Sequence, residues 1–169
     1  MTVTEAIRAR RSVRDFKQGA EVTEEQIKLL LEAAMMAPSA CNTRPWEFAV
    51  ITNREMLDKI REYHRHTRML ATASLAIVVC ALPETQEGVS AGFFPQDCAA
   101  ATQNILLQAV ELGLGCCWCG VYPKDGFVEK TRELLGVSGL PFCIIAIGVP
   151  EINPDARGFY DETKVKYFK

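Results

Sequence analysis

The stretch QDCAAATQNILLQAVELGL, residues 96–114, decides the fold. Its apolar residues fall nearly all round a helix, at Ala99, Ala100, Ala101, Ile105, Leu106, Leu107, Ala109 and Val110. A helix that is apolar on every side must be covered on every side, so the pattern predicts a buried central helix over Gln96–Leu114. Pro95 suits the beginning of this helix, and Gly113 and Gly115 suit its end.

Apolar segments before and after this helix predict a sheet. The segments LAIVVCA (Leu75–Ala81) and FCIIAIGV (Phe142–Val149) have the β-branched composition of buried strands. EFAVIT (Glu47–Thr52) predicts a third strand, and Cys116–Tyr122 predicts a short extended segment. The intervening residues Pro83–Phe94 contain two glycines and mixed polarity, which predicts a loop.

Capping signals mark three of the other helices. Thr2 with Glu5, and Thr23 with Gln26, have the spacing of a capping box. Asn53 caps a third helix, and residues 125–135 predict a short fourth one. Because no repeat or linker interrupts these elements, we expect a single α+β domain over residues 1–169.

Composition and charge exclude several classes of protein. The chain has 169 residues, of which 49% are hydrophobic, and a formal net charge of -2. Such a chain can bury a sizeable core, and its charge does not favour nucleic-acid binding. Its longest apolar runs, Ala71–Leu82 and Gly139–Pro150, are shorter than the ~20 residues of a membrane span. Without a signal peptide in Met1–Ser12, we expect a cytoplasmic protein with no membrane partner.

Seven cysteines are distributed in two ways. Cys41, Cys80, Cys98 and Cys143 lie in or beside apolar runs, where a thiol behaves as a small hydrophobic group. Cys116, Cys117 and Cys119 are crowded together, but no second pair follows at the spacing of a zinc ribbon. We therefore expect reduced, buried thiols and no metal site. A thiol–disulfide or metal role for the cluster is the alternative.

Three segments have the residue types of a binding site. The first is Arg10-Arg11-Ser12-Val13-Arg14, where an extended chain could present guanidinium groups and a hydroxyl to a phosphate. The second is the proline-bounded loop Ala37–Trp46, with polar groups at Ser39, Asn42 and Thr43. The third is Gly113–Pro123, whose glycines permit close approach of a ligand to the backbone. Each has a structural alternative: a solvated basic helix end, a packed turn, and a helix-to-strand turn.

The carboxyl-terminal residues are unusual for a free terminus. Val165 and Tyr167 alternate with Lys164 and Lys166, and Phe168 follows. An alternating terminal segment of this kind can pair with the sheet edge of another chain. The pattern favours a homodimer.

Taken together, the three segments resemble the nitroreductase family of FMN flavoproteins. The resemblance rests on Arg10–Phe16, on Ala37–Phe48, and on Gln96-Asp97 through Gln103-Asn104 to Gly113-Leu114-Gly115. Their order and spacing match over nearly the whole chain. The resemblance implies a central mixed, largely antiparallel sheet flanked by helices. It also implies a homodimer with C-terminal strand exchange and FMN at the subunit interface.

The resemblance also implies roles for individual residues. Arg10, Arg11, Ser12 and Arg14 match the segment that holds the FMN phosphate, ribityl chain and ring edge. Pro38, Ser39 and Asn42 match the loop that reaches the flavin from the partner subunit. Trp118, Cys119 and Gly120 match the segment against the hydride-accepting side of the flavin, and Lys164 matches a basic tail position near the phosphate. No catalytic side chain is expected, because the cofactor carries the chemistry.

The function that follows is an NAD(P)H-dependent FMN oxidoreductase of the nitroreductase type. NAD(P)H would reduce the flavin by hydride transfer to N5, and a small planar, electron-poor acceptor such as a nitroaromatic or a quinone would reoxidise it in a ping-pong cycle. One alternative is a specialised flavin reductase or dehalogenase on the same scaffold. Another is an FMN-binding protein without turnover.

Overall fold

A computed structural model describes residues 1–169 and contains an antiparallel sheet between two layers of helices. The strands are β1 (Trp46–Ile51), β2 (Leu75–Ala81), β3 (Gly115–Gly120) and β4 (Leu140–Gly148). The helices are α1 (Val3–Ala9), α2 (Glu24–Met35), α3 (Arg54–Tyr63), α4 (Phe94–Glu111) and α5 (Asp125–Leu135). The strand order is β1-β2-β4-β3, and every neighbouring pair is antiparallel. The predicted α+β fold is confirmed, and its parallel component is an isolated bridge between Ser12 and Cys116.

Alternation along the central strands divides the core into two layers. Leu75, Ile77 and Val79 of β2 face the layer that contains α2 and α4. Ala76 and Val78 face the opposite layer, which contains α3 and α5. Side chains of a strand point alternately to the two sheet faces, so the continuous apolar run of β2 serves both layers.

The predicted central helix is confirmed, with different ends. Helix α4 begins at Phe94 and ends at Glu111, so it starts earlier and finishes earlier than the prediction. Pro95 fits within the first turn because the first N–H groups of a helix have no partner inside the helix. Gly113 has φ +70, a left-handed conformation that ends the helix and turns the chain into β3.

Other predicted boundaries shift by one or two residues. Strand β1 begins one residue before the predicted segment, and β3 covers the first part of the predicted extended segment. Strand β4 includes Leu140 and Pro141, which the prediction left outside. Pro141 is tolerated because it pairs with Cys80 at a register shift between Val79 and Cys80, where a regular ladder hydrogen bond is interrupted.

Cys41 and the carboxyl-terminal tail are exposed in the single chain. Cys41 is exposed, so the expectation that it behaves as a buried hydrophobic thiol is wrong. The chain turns outward there through positive φ angles at Cys41, Asn42 and Arg44. The tail forms no strand within this chain, and Phe159 (87%) and Phe168 (94%) are almost fully exposed. None of the helices has both the length and the apolar character needed to cross a membrane.

Candidate functional site

The basic segment near the amino terminus lies beside strand β3. Helix α1 ends at Ala9, and Arg10 leaves the helix with ψ 122. The following residues are extended, and the backbone N–H of Val13 donates to the carbonyl oxygen of Cys116 at 2.9 Å. The prediction that this segment leaves the first helix as an extended chain is confirmed, which brings two of the three predicted segments into contact.

A glycine permits this close approach. A Cβ atom added at Gly115 would lie 2.8 Å from Cγ1 and 2.9 Å from Cβ of Val13. Val13 is buried and β-branched, so it has little freedom to move away. Gly115 is therefore required for the basic segment to lie against β3.

The extended conformation separates arginines that are adjacent in the sequence. Arg14 lines a cleft together with Cys117, Trp118, Cys119 and Gly120 of β3. Arg11 lines a different cavity of about 360 Å³, beside Val13, Leu114 and Cys116. The structure therefore brings Arg14 to the predicted β3 residues and places Arg11 elsewhere. Arg10 lies near two thiols of β3. Burial raises the pKa of Cys116 to about 12 against the charge of Arg10, whereas the hydrogen bond from Cys119 lowers the pKa of Cys117 with a contribution from Arg10.

We call the cleft lined by Arg14 and the β3 residues the arginine cleft. It has a volume of about 490 Å³, and its lining includes Arg14, Arg65, His66, Arg68 and Trp118. No carboxylate lines it, and Arg14, Arg65 and Arg68 take part in no salt bridge. Three guanidinium groups without acidic partners make the cleft suitable for an anion.

Arg65, His66 and Arg68 are functional candidates that the sequence analysis missed. They lie in a turn between α3 and β2 that is held by the buried Thr67. The hydroxyl of Thr67 donates to the carbonyl oxygen of His64 at 2.7 Å. The sequence did contain a signal for them. Arg65-His66-Thr67-Arg68 is a basic group, and no acidic residue follows three or four positions later that could pair with it on a helix.

His64 holds the end of β3 in place and does not line the arginine cleft. Its side chain is fully buried and stacks on Phe127, with ring centroids 4.1 Å apart. Its Nε2 lies 2.9 Å from the carbonyl oxygen of Gly120, which can only accept, so Nε2–H donates. Burial lowers the pKa of His64, which keeps the ring neutral near pH 7.

The cysteine cluster lies partly along the cleft. Cys117 and Cys119 point to the same side of β3, and both are buried. The Cys119 side chain lowers the pKa of the Cys117 thiol by hydrogen bonding, and Arg14, Ser12 and Arg10 act in the same direction against the effect of burial. The Sγ atom of Cys119 lies 3.3 Å from the carbonyl oxygen of His66, which joins β3 to the Arg65–Arg68 turn.

Gly120 is an open glycine at the edge of the cleft. No atom lies within 4 Å of the position that a Cβ would take, and its φ is not in the left-handed region. The protein's own packing therefore does not require a glycine here. A ligand that packs directly on the backbone would require one.

The proline-bounded loop is held by a buried aspartate. The N–H of Ala40 donates to both carboxylate oxygens of Asp97 at 3.2 Å, and the side-chain amide of Gln86 donates to Oδ2 at 2.7 Å. Within the loop, the N–H of Arg44 donates to Oγ of Ser39 at 2.9 Å. Asp97 thus fixes the loop to the amino-terminal end of α4.

The remaining predicted site residues do not reach the arginine cleft of their own chain. The lining of the cleft includes none of Pro38, Ser39 and Asn42, and Pro38 and Asn42 are exposed. Lys164 is exposed in the tail, where its Nζ lies 3.8 Å from Oδ2 of Asp161. One chain therefore brings together Arg14, Trp118, Cys119 and Gly120, with Arg10 and Ser12 alongside.

Comparison with known proteins identifies the family of this chain. A sequence model described as the Nitroreductase family matches residues 7–67 and 64–149. The chain belongs to the nitroreductase family. As a nitroreductase-family protein it is 46% identical to a protein of Methanothermobacter thermautotrophicus with the provisional name NADH dehydrogenase/NAD(P)H nitroreductase. That alignment covers 98% of this chain and 86% of the relative.

Solved nitroreductase-family structures have the same fold. An FMN-dependent nitroreductase from Clostridium difficile is 32% identical with a TM-score of 0.87, covering 97% of this chain and 98% of that one. A provisionally named nitroreductase from Desulfovibrio desulfuricans, solved in complex with FMN, is 28% identical with a TM-score of 0.82. It covers 100% of this chain and 99% of that one.

Proposed function

We propose that this nitroreductase-family protein is an NAD(P)H-dependent oxidoreductase that uses FMN. The observation that carries the proposal is the arginine cleft, whose charged lining consists of cations without acidic partners. Relatives named as FMN-dependent or solved with FMN support the choice of ligand.

The residues of the cleft fit the chemical groups of FMN. A phosphate carries nearly two negative charges at neutral pH, and arginine is its natural partner. Arg10, Ser12 and Arg14 would hold the phosphate and ribityl groups, and Arg65 and Arg68 would add positive charge in the same cleft as Arg14. Trp118 offers an aromatic wall at the cleft. The open space at Gly120 would allow a planar ring to lie against the β3 backbone.

When bound, FMN would supply hydride and electron transfer between NAD(P)H and an electron-poor acceptor such as a nitroaromatic or a quinone. The protein's residues bind and orient the ring and exclude water around it. No side chain of the cleft is needed as an acid or a base. Because donor and acceptor would need the same open side of the cleft, we expect them to bind in alternation, as in a ping-pong reaction.

A single anaerobic titration tests the proposal. The purified protein, soaked in FMN and dialysed, should be yellow, and NADH or NADPH under nitrogen should bleach the visible flavin band. A nitroaromatic or a quinone should then restore the band. Colour without bleaching would favour an FMN-binding protein without turnover, and a protein that stays colourless would contradict the proposal.

The second part of the proposal is a homodimer that completes the site. Phe159, Tyr160, Tyr167 and Phe168 are each at least 73% exposed in the single chain. Exposed aromatic groups at this density indicate a surface that another chain covers. The partner subunit's Pro38, Ser39 and Asn42 would then reach the flavin, and Lys164 would approach the phosphate from the exchanged tail.

Removing aromatic contacts of the tail should dissociate the dimer. We expect the double variant Phe159→Asp and Phe168→Asp to elute as a monomer and to lose FMN, because burying two carboxylates in an apolar interface is unfavourable. Light scattering after size-exclusion chromatography measures the mass. The matched control is Lys169→Asp, which changes the charge of the tail without removing an aromatic group. A double variant that stays dimeric would contradict the assignment of the tail.

Cysteine substitution separates the flavin proposal from a thiol-based reaction. We expect Cys117→Ser and Cys119→Ser to keep FMN content and NAD(P)H-dependent turnover within about twofold, because serine preserves the size of the side chain and the β3 backbone. Absorbance of bound flavin and steady-state rates measure both quantities. A loss of turnover in a variant that still holds FMN would instead support thiol–disulfide chemistry.

A further inference from the structure

A second cavity continues from the arginine cleft toward helix α5. It has a volume of about 590 Å³ and shares Arg65, His66 and Gly120 with the cleft. We call it the lysine groove, after Lys124 and Lys130, which line its far side. Because the two cavities share three residues, one extended ligand could occupy both.

The lysine groove is positively charged and lacks acidic groups in its lining. Arg65, Lys124 and Lys130 line it, no carboxylate does, and none of the three takes part in a salt bridge. On α3, whose Tyr63 also lines the groove, Lys59 is paired with Glu55 at 2.7 Å and Arg61 with Asp58 at 2.8 Å. A set of unpaired cations in a protein whose net charge is -2 indicates a site for a ligand with several negative charges.

The walls of the groove are aromatic and held in place. Tyr63 donates or accepts a hydrogen bond with Thr131 at 2.9 Å, and Phe127 stacks on His64. Tyr122 is 37% exposed and packs edge-on against Phe94, with ring centroids 5.5 Å apart. Aromatic surfaces beside unpaired cations suit a ligand that combines a planar base with phosphates, which is the chemistry of a nucleotide.

We propose that the lysine groove binds the adenosine end of the nicotinamide nucleotide, and that Lys124 and Lys130 bind its 2′-phosphate. The inference rests on the proposed function, in which the nicotinamide end reaches the arginine cleft. NADPH carries the 2′-phosphate and NADH does not, so the two lysines make the protein selective for NADPH.

The test uses 2′,5′-ADP and 5′-AMP as probes of the flavin-loaded protein. We expect 2′,5′-ADP to bind at least about tenfold more tightly than 5′-AMP and to compete with NADPH, since a charged hydrogen bond contributes that much or more. Lys124→Gln and Lys130→Gln should each lower affinity for 2′,5′-ADP, and kcat/KM for NADPH, by about tenfold. The same variants should change kcat/KM for NADH by less than about twofold.

Lys28→Gln is the matched control, because Lys28 lies on α2 outside both cavities and should leave every value unchanged. Equal binding of the two probes, or variants that bind 2′,5′-ADP as the parent protein does, would overturn the assignment of the groove. FMN content and bleaching by NADH are recorded on the same samples. Absence of bound FMN or of bleaching by NADH counts against the proposed function. The affinities of 2′,5′-ADP and 5′-AMP, measured by calorimetry, test the assignment of the lysine groove separately.

Discussion

Replacing Arg14 with alanine should lower the affinity for FMN by about 10- to 150-fold, or about 1.5–3 kcal/mol. Arg14 lines the arginine cleft, forms no salt bridge, and belongs to the segment that Gly115 allows against β3. Its guanidinium group is therefore available to the phosphate and ribityl end of the flavin. The loss includes the charged hydrogen bonds and the compensation of the phosphate charge. Fluorescence titration of the apoprotein with FMN measures the dissociation constant, and Arg10→Ala should show a loss in the same range.

Arg11→Ala is the matched control for this prediction. Arg11 has the same side chain and lies three residues from Arg14, but it lines the separate cavity beside Leu114 and Cys116. We expect its replacement to change FMN affinity by less than about threefold, which corresponds to less than 1 kcal/mol. If the Arg14→Ala and Arg11→Ala proteins bind FMN equally well, the assignment of the arginine cleft as the flavin site is wrong.

Asp97→Ala should reduce the free energy of unfolding by about 2–3 kcal/mol and also weaken FMN binding. Asp97 is 6% exposed, and its carboxylate accepts hydrogen bonds from Ala40 N–H and from Gln86. Removing it leaves a backbone donor and a buried amide without their acceptor, which costs more than the bonds contribute. The loop Pro38–Asn42 would lose its attachment to α4. Denaturant titration at a fixed protein concentration measures the stability.

Two further variants make the Asp97 prediction specific. Asp97→Asn should cost less than the alanine variant, because it keeps an acceptor for Ala40, and the unpartnered Oε1 of Gln86 can accept from the new amide after a flip. Asp58→Ala removes a carboxylate that pairs with Arg54 and Arg61 at the surface, and should cost less than about 1 kcal/mol. Equal stability of Asp97→Ala and Asp58→Ala would show that Asp97 does not hold the loop.

The sequence by itself determined the elements and the character of the core. The apolar run Leu75–Ala81 is a strand with those bounds, and the helix Asp125–Leu135 also agrees with its prediction. Such segments are readable because β-branched composition and a helix-ending glycine, here Gly136 with φ +64, act locally. The all-round apolar pattern likewise identified α4 as the central helix. The helix begins at Phe94 and ends at Glu111, so both ends differ from the predicted Gln96–Leu114. The resemblance carried by Arg10–Phe16 and Ala37–Phe48 named the family that the comparison then confirmed.

Only the tertiary structure decided which charged residues share a cavity. The extended chain after Ala9 turns Arg14 toward the β3 cleft and Arg11 toward another cavity, although the sequence shows one basic cluster. Arg65 and Arg68 join Arg14 across a separation of about fifty positions because the turn around Thr67 packs beside β3. Local patterns specify backbone conformation through short-range sterics and hydrogen bonds. The composition of a cavity depends on which distant segments the core brings together, and the close approach of Val13 to Gly115 is a contact of that kind.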